Sequence, residues 1–232
     1  MKLEIIWKQI LDLVFPPHCL VCGKAEDFLC PSCIIKLPKL ERQKCIVCSM
    51  PSPFGKTHSG CKSRKKIDGI ISALPYKDLN VKKLIETFKY KYISDLSPAL
   101  SKIIGESFQN YELQNFFKDF SLIPVPLHKK RLVWRGFNQS MLLAQELSRN
   151  LNIKIDNSLI ERVKYTKPQV ELGLKQRKQN IKNAFKVQNR LTHLKFLLVD
   201  DVVTTGSTLN EMAKTLKRSG ATEVWAITLA AD

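Results

Sequence analysis

The sequence predicts an α/β domain, a parallel sheet with helices on both faces, preceded by a small cysteine-rich module built to hold metal. Three observations predict it. From residue 68 to the C-terminus, strand-like apolar runs alternate with helical ones, the pattern that builds parallel sheets. Residues 196–208 pass from an apolar strand through two acids into a hydroxyl- and glycine-rich turn that opens a helix. All seven cysteines lie between positions 19 and 61. The chain therefore divides into a head, 1–66, and a body, 67–232, and its 44% apolar content is enough for a real core.

Residues 1–15 set Ile6, Trp7, Ile10, Leu13 and Val14 on one side, with Glu4, Lys8 and Asp12 interrupting them. That is neither a signal-peptide core nor a membrane span. It reads as an amphipathic helix docked on the rest, the alternative being a helix for a membrane surface or a partner. With no export signal, the cysteines are expected to be reduced.

The head carries Cys19-x-x-Cys22, Cys30-x-x-Cys33, Cys45-x-x-Cys48 and His58-x-x-Cys61. A CxxC pair offers two thiolates from one tight turn to a tetrahedral metal, and two such pairs complete a structural zinc site. Sequential pairing gives Cys19, Cys22, Cys30 and Cys33 to one Zn2+ and Cys45, Cys48, His58 and Cys61 to a second. An interleaved arrangement, or one zinc with spare cysteines, fits the spacing too. The head is short and rich in proline, lysine and cysteine, so metal is expected to supply most of its folding energy.

In the body, residues 68–76 read as a strand and 81–90 as a helix with Leu84, Ile85 and Phe88 inward. A second helix is expected over 98–108. Residues 121–126 are a short strand stopped by Pro124-Val-Pro126. A basic loop, 127–139, then opens a helix to about residue 151, and 158–164 is a further strand. Residues 165–190 hold Lys167, Lys175, Arg177 and Lys178 among amides, with no apolar run until Ile181. So long a polar stretch in a compact domain is a cationic lid or a solvated loop. Residues 196–199 form a buried strand, 209–219 a helix stopped by Gly220, and 223–230 the last strand.

Charge is concentrated. Residues 121–195 hold 16 basic and four acidic side chains, a net +12 of the chain's +17; the head adds +7, which two zinc–thiolate sites lower to roughly +4. Such a surface attracts polyanions through counterion release, with nucleic acid the first partner and anionic lipid the second. A merely soluble basic surface is the bland alternative.

The 196–208 segment is the most specific. Thr204, Thr205, Gly206, Ser207 and Thr208 set backbone N–H groups and small hydroxyls at a helix N-terminus, where a phosphate is favoured. Asp200 and Asp201 repel that phosphate. They suit vicinal hydroxyls instead, since an ionised carboxylate only accepts hydrogen bonds. Together they are built for a ribose 5-phosphate; a solvated acid pair before a capped helix is the alternative.

This segment resembles the signature of the type I phosphoribosyltransferases, which holds phosphoribosyl pyrophosphate. By that resemblance Asp200 and Asp201 hold the ribose hydroxyls and are the catalytic candidates, Thr204–Thr208 hold the 5-phosphate, and Lys167 and Arg177 lie in a lid over pyrophosphate. Mg2+ accompanies the ligand, reached through its hydroxyls or water. With Pro124-Val-Pro126, Arg131, Arg135-Gly136-Phe137-Asn138-Gln139, Asn180, Ala184-Phe185 and the cysteine head, the chain is similar to the ComF family, which joins a double zinc-ribbon-like head to such a domain. The resemblance places Arg135 and Gly136 at the pyrophosphate. It implies cytosolic work in DNA uptake during natural transformation, at the inner face of the membrane, with single-stranded DNA and helper proteins such as an operon-encoded helicase as partners. Peripheral membrane contact fits, and no transmembrane segment is expected.

Two functions of different class follow: a Mg2+-dependent transferase acting on an unidentified base or nucleotide, or a module that binds single-stranded DNA and keeps phosphoribosyl pyrophosphate as a sensor. Trp134 and Phe137 could stack bases or serve as core.

Overall fold

The computed structural model describes residues 16–63, 66–90, 94–110, 113–166 and 179–232. The helix expected over 1–15 and the residues Lys167 and Arg177 of the expected lid lie outside them. The head contributes α1 (Pro31–Lys36). The body runs β1 (Gly69–Pro75), α2 (Leu79–Tyr90), α3 (Ser97–Asn110), α4 (Gln114–Phe117), β2 (Ser121–Pro124), α5 (Lys129–Arg135), α6 (Gln139–Leu151), β3 (Ile160–Arg162), β4 (Phe185–Val187), β5 (Lys195–Val203), α7 (Ser207–Arg218) and β6 (Glu223–Ala231).

Four strands form one parallel sheet in the order β1-β6-β5-β2. Beyond β2 the chain at Ile155 adds a parallel bridge to Leu122. The sheet is apolar on both faces because helices cover both. Alternation along each strand divides the core: Leu197, Val199, Ile227 and Leu229 pack with α2, α3 and α6. Phe196, Leu198, Val224 and Ala226 face the other way, onto Leu209, Met212 and Leu216 of α7. At the β1–β6 register pair Gly69–Trp225, a Cβ on residue 69 would run into the Trp225 ring, so glycine is required there.

Three expectations need correction. Of the strand expected over 158–164 only Ile160–Arg162 forms, and this β3 pairs antiparallel with β4 in a separate two-stranded sheet, where Ile160 and Phe185 cover α7. The basic loop 127–139 contains α5, started by His128, whose side chain accepts the Lys130 N–H, and closed by Gly136 at φ +75°. Its charge masked a helical run of Leu132, Val133 and Trp134. Strand β5 continues through both acids to Val203, because its pairing with β6 persists to Val203–Ala231.

The head is not an isolated module. Cys19, Leu29, Cys33, Ile34 and Leu37 join the same core cluster as α2 and α3. Leu40 N–H donates to Ala73 O at 2.8 Å, and the Gln43 side chain pairs with Ser72 through both its amide atoms, at 2.8 and 3.0 Å. Packing on the body thus shares with metal the work of folding the head. Among the described residues, no helix is long and apolar enough to cross a membrane.

Candidate functional site

Two features place the site at the carboxyl end of β5. The strand carries Asp200 and Asp201 to the sheet's edge, and the turn at Gly206, with φ +66°, swings the chain into α7. A left-handed residue is needed to turn so sharply, and glycine adopts it without a steric cost.

Asp200 Oδ1 accepts from Ser140 Oγ at 3.0 Å and from the Asp201 N–H at 3.0 Å. Burial pushes the Asp200 carboxyl up to about 7, and the Asp201 charge pushes the same way, against Lys89, the Asp201 N–H and Ser140. Asp201 is buried, with Oδ2 3.1 Å from Lys89 Nζ. Burial alone would lower the Lys89 ammonium's pKa; the Asp201 and Asp200 charges outweigh it and raise it. The pair therefore has one acid braced by a cation and one that gives up its proton only near neutrality.

Beside the acids is a cavity of about 280 Å³, lined also by Lys89, Arg131, Arg135, Arg162 and Thr208. Arg135 donates to Gln139 Oε1 at 2.6 Å and lies over the Tyr90 ring, 5.2 Å from its centroid. Arg162 donates to the Thr166 hydroxyl and Arg131 to the Thr166 carbonyl at 3.1 Å. Burial, then the Arg131 charge, lowers Arg162 to about 10, so it stays cationic at neutral pH. Arg135 and Arg162 are 6% and 5% exposed, and the buried Nε of each has no hydrogen-bond partner among the described residues. Buried, unsatisfied guanidinium donors are costly unless an anion completes them.

The residues singled out in sequence divide unevenly around this centre. Asp200, Asp201, Arg135 and Thr208 share the cavity. Thr205 and Ser207, whose hydroxyls lie 2.8 Å apart, face a second cavity of about 420 Å³ that also holds Lys66, Lys182 and Lys214. Thr204 lines a third, of about 110 Å³, between the sheet's end and residues Leu40–Ser49 of the head. Gly136 gives its N–H to Leu132 O at 2.8 Å and turns the chain at the end of α5. Phe137 is half-buried and packs on the core, 6.1 Å from the Phe88 ring, whereas Trp134 is 64% exposed and sits edge-on to Tyr90 at 6.2 Å.

Sequence reasoning missed Lys89 and Arg162. In the sequence Lys89 is one unassigned residue of the 81–90 helix, and Arg162 one of many cations in a basic block. The one available signal was Lys89's place beside the inward Phe88, at the end of the first helix after β1.

In the head, Cys19, Cys22, Cys30 and Cys33 bring their sulfurs within 4.8 Å of one another, and so do the ligand atoms of Cys45, Cys48, His58 and Cys61. This is the sequential grouping. Burial opposes ionisation of Cys19 and Cys45, yet backbone N–H groups of Cys22 and Cys30, and of Cys48 and His58, bring each thiol down to about 6. Three or four thiols, with His58 completing the second set, gathered within one ligand sphere fit tetrahedral zinc. Ile46, between two of these ligands, seats on the glycine turn: a Cβ on Gly206 would lie 2.6 Å from Ile46 Cγ1.

Comparison with known proteins agrees with both halves. A double zinc ribbon domain matches residues 10–63 and a phosphoribosyl transferase domain matches residues 138–232. The chain is similar to competence protein F of Haemophilus influenzae, 39% identical over 145 residues, covering 61% of this chain and 63% of that protein. It matches the DNA utilization protein YhgH of Salmonella typhimurium at 32% identity over 217 residues, 90% of this chain and 88% of the relative. Competence protein ComFC of Bacillus subtilis is 28% identical over 218 residues, 85% of this chain and 81% of the relative. A purine phosphoribosyltransferase structure from Pyrococcus horikoshii covers 70% of this chain and 78% of its own at 17% identity and a TM-score of 0.31, too distant to carry an argument.

Proposed function

The chain belongs to the family of competence protein F, ComFC and YhgH, and from that premise we propose that it binds phosphoribosyl pyrophosphate at the end of β5 and handles single-stranded DNA during uptake or use of DNA. One observation carries the reading: an acid pair and a cavity lined by three arginines and a lysine meet at the loop that opens α7. Vicinal hydroxyls suit the acids, and a pyrophosphate completes the buried Arg135 and Arg162 donors. Mg2+ would enter with the ligand and screen its phosphates, facing Asp200 and Asp201 through hydroxyls or water. The 5-phosphate would use the Thr204–Thr208 loop, and by the family resemblance Lys167 and Arg177 would add cations for the pyrophosphate.

Single-stranded DNA would find a surface of suitable chemistry at the rim of this cavity, which Trp134 also lines. Trp134 and Tyr165 are 64% and 56% exposed, and Lys130 lies 5.9 Å over the Tyr165 ring. Exposed aromatics among cations suit a stacked, sequence-tolerant strand. The transferase reading draws on a different observation, the cavity at Thr204, which the head roofs as a hood covers an acceptor.

The test is a calorimetric titration of the full chain with phosphoribosyl pyrophosphate and Mg2+. Asp200→Ala should abolish that binding while salt-sensitive binding of single-stranded DNA persists. No heat from the wild type would overturn the reading. Pyrophosphate release on screening bases and nucleotides would establish the transferase.

A further inference from the structure

We infer that Lys89 is a specificity-determining cation of this site, set in place by Asp201 so that its ammonium meets the pyrophosphate end of the ligand; this rests on the phosphoribosyl pyrophosphate reading above. The helix that supplies it is otherwise a packing element, with Val81, Leu84, Ile85 and Phe88 buried in the core shared with the sheet. Its last turn departs from that role. Lys89 and Tyr90 both line the cavity beside the acids, Tyr90 under the Arg135 guanidinium and Lys89 against Asp201.

The Lys89 side chain is 19% exposed, and its ion pair with Asp201 spans 3.1 Å. A lysine loses much rotamer freedom when so enclosed, a cost that a surface position avoids. An ammonium has three donors and its ion pair with Asp201 faces one carboxylate oxygen, so donors remain for a guest in the cavity. The carboxylate also fixes where the ammonium stands before a ligand arrives, which lowers the ordering cost of binding. Four cations, Lys89, Arg131, Arg135 and Arg162, face two acids there. A singly phosphorylated sugar leaves that excess unanswered; a ligand with a pyrophosphate at C1 answers it.

Lys89 should therefore separate phosphoribosyl pyrophosphate from ribose 5-phosphate. Wild type, Lys89→Met and Lys89→Arg are titrated with both sugars and with pyrophosphate, each with Mg2+. Losing one charge-assisted contact should weaken phosphoribosyl pyrophosphate and pyrophosphate by roughly 10- to 100-fold in Lys89→Met. Ribose 5-phosphate should change by less, about threefold, because its diol donates to the carboxylates directly. Lys89→Arg should recover most of the affinity for both pyrophosphate-bearing ligands. Ribose 5-phosphate binding also reports that each variant is folded. Equal losses for both sugars would reduce Lys89 to a support for the acids and overturn the inference, as would unchanged affinities. A wild type that binds none of the three ligands overturns the reading of the site, and this one with it.

Discussion

Replacing Asp200 with asparagine should make the protein more stable at alkaline pH while it destroys the hold on a ribose. Burial, then the neighbouring Asp201 charge, pushes the Asp200 carboxyl up from 3.8 to about 7. Between those values the folded chain binds the proton more tightly than the unfolded chain does. Stability due to this group is thus fully present below about pH 4, falls as pH rises through about 7, and is flat above. About three pH units at ~1.4 kcal/mol each is about 4 kcal/mol. Asp200 and Asp201 titrate as a pair, which spreads part of that over both, so about 2–4 kcal/mol belongs to replacing one of them. Asparagine matches the shape, and its Oδ1 can still accept from Ser140 Oγ and the Asp201 N–H. Thermal melts of both proteins at pH 4.5 and pH 8.5 test this. The variant should melt higher by roughly 5–10 °C at pH 8.5 and converge with the wild type at pH 4.5. Calorimetry should show its affinity for phosphoribosyl pyrophosphate lost, because the amide's N–H₂ faces the diol with donors. A variant that melts lower than wild type at pH 8.5 would refute the argument, for the carboxylate would then be a net support of the fold.

Other expectations follow from the same geometry. Gly206→Ala meets both a φ of +66° and Ile46 Cγ1 at 2.6 Å, and should cost about 1–3 kcal/mol in denaturant melts; adding Ile46→Ala should return the steric part and leave the backbone part. Lys217 and Asp68 form an ion pair at 2.6 Å with side chains only 7% and 4% exposed, so Lys217→Met should lower stability by about 3 kcal/mol, moderated by Lys62 at 3.3 Å. A strong zinc chelator should release metal from both cysteine clusters, unfold the head by circular dichroism and weaken phosphoribosyl pyrophosphate binding, since Ile46 leaves the glycine turn. Trp134→Ala should reduce affinity for single-stranded DNA by about 1–3 kcal/mol in fluorescence titrations; because Trp134 also lines the acid-pair cavity, Tyr165→Ala, which lies outside that lining, is the variant that should weaken DNA and leave the sugar-phosphate affinity unchanged.

What the sequence made legible was local. The run from Phe196 through Thr208 contains its own strand, acids and turn, and the CxxC pairs hold two ligands within one turn, so neither needed knowledge of distant chain. Arg162 could not be read that way: nothing near it in sequence distinguishes it from its basic neighbours, and only the antiparallel β3–β4 pairing and Thr166 bring it to the cavity. Helix α5 was hidden for a related reason. Its charge suggested a loop, but His128 starts it and Gly136 ends it, two caps that outweigh the composition. The strand's extension past Asp200 depends on β6 pairing along its whole length, a long-range fact.

Ile46 joins the two halves of the molecule in a way that neither motif implies alone. It sits between Cys45 and Cys48 in one four-ligand cluster, and its side chain closes on Gly206, which must keep a left-handed turn for the Thr204–Thr208 loop to open α7. The same side chain lines both the cavity under the head and the lysine-rich cavity beside Thr205 and Ser207. A rigid knuckle pressed on a glycine turn restricts the states that loop can visit, and a loop already restricted loses less entropy when it takes up a phosphate. If a phosphate binds this loop, the restriction by Ile46 would add to its affinity from outside the cavity, and phosphoribosyl pyrophosphate titrations of Gly206→Ala, Ile46→Ala and the double variant should show that coupling as a non-additive term.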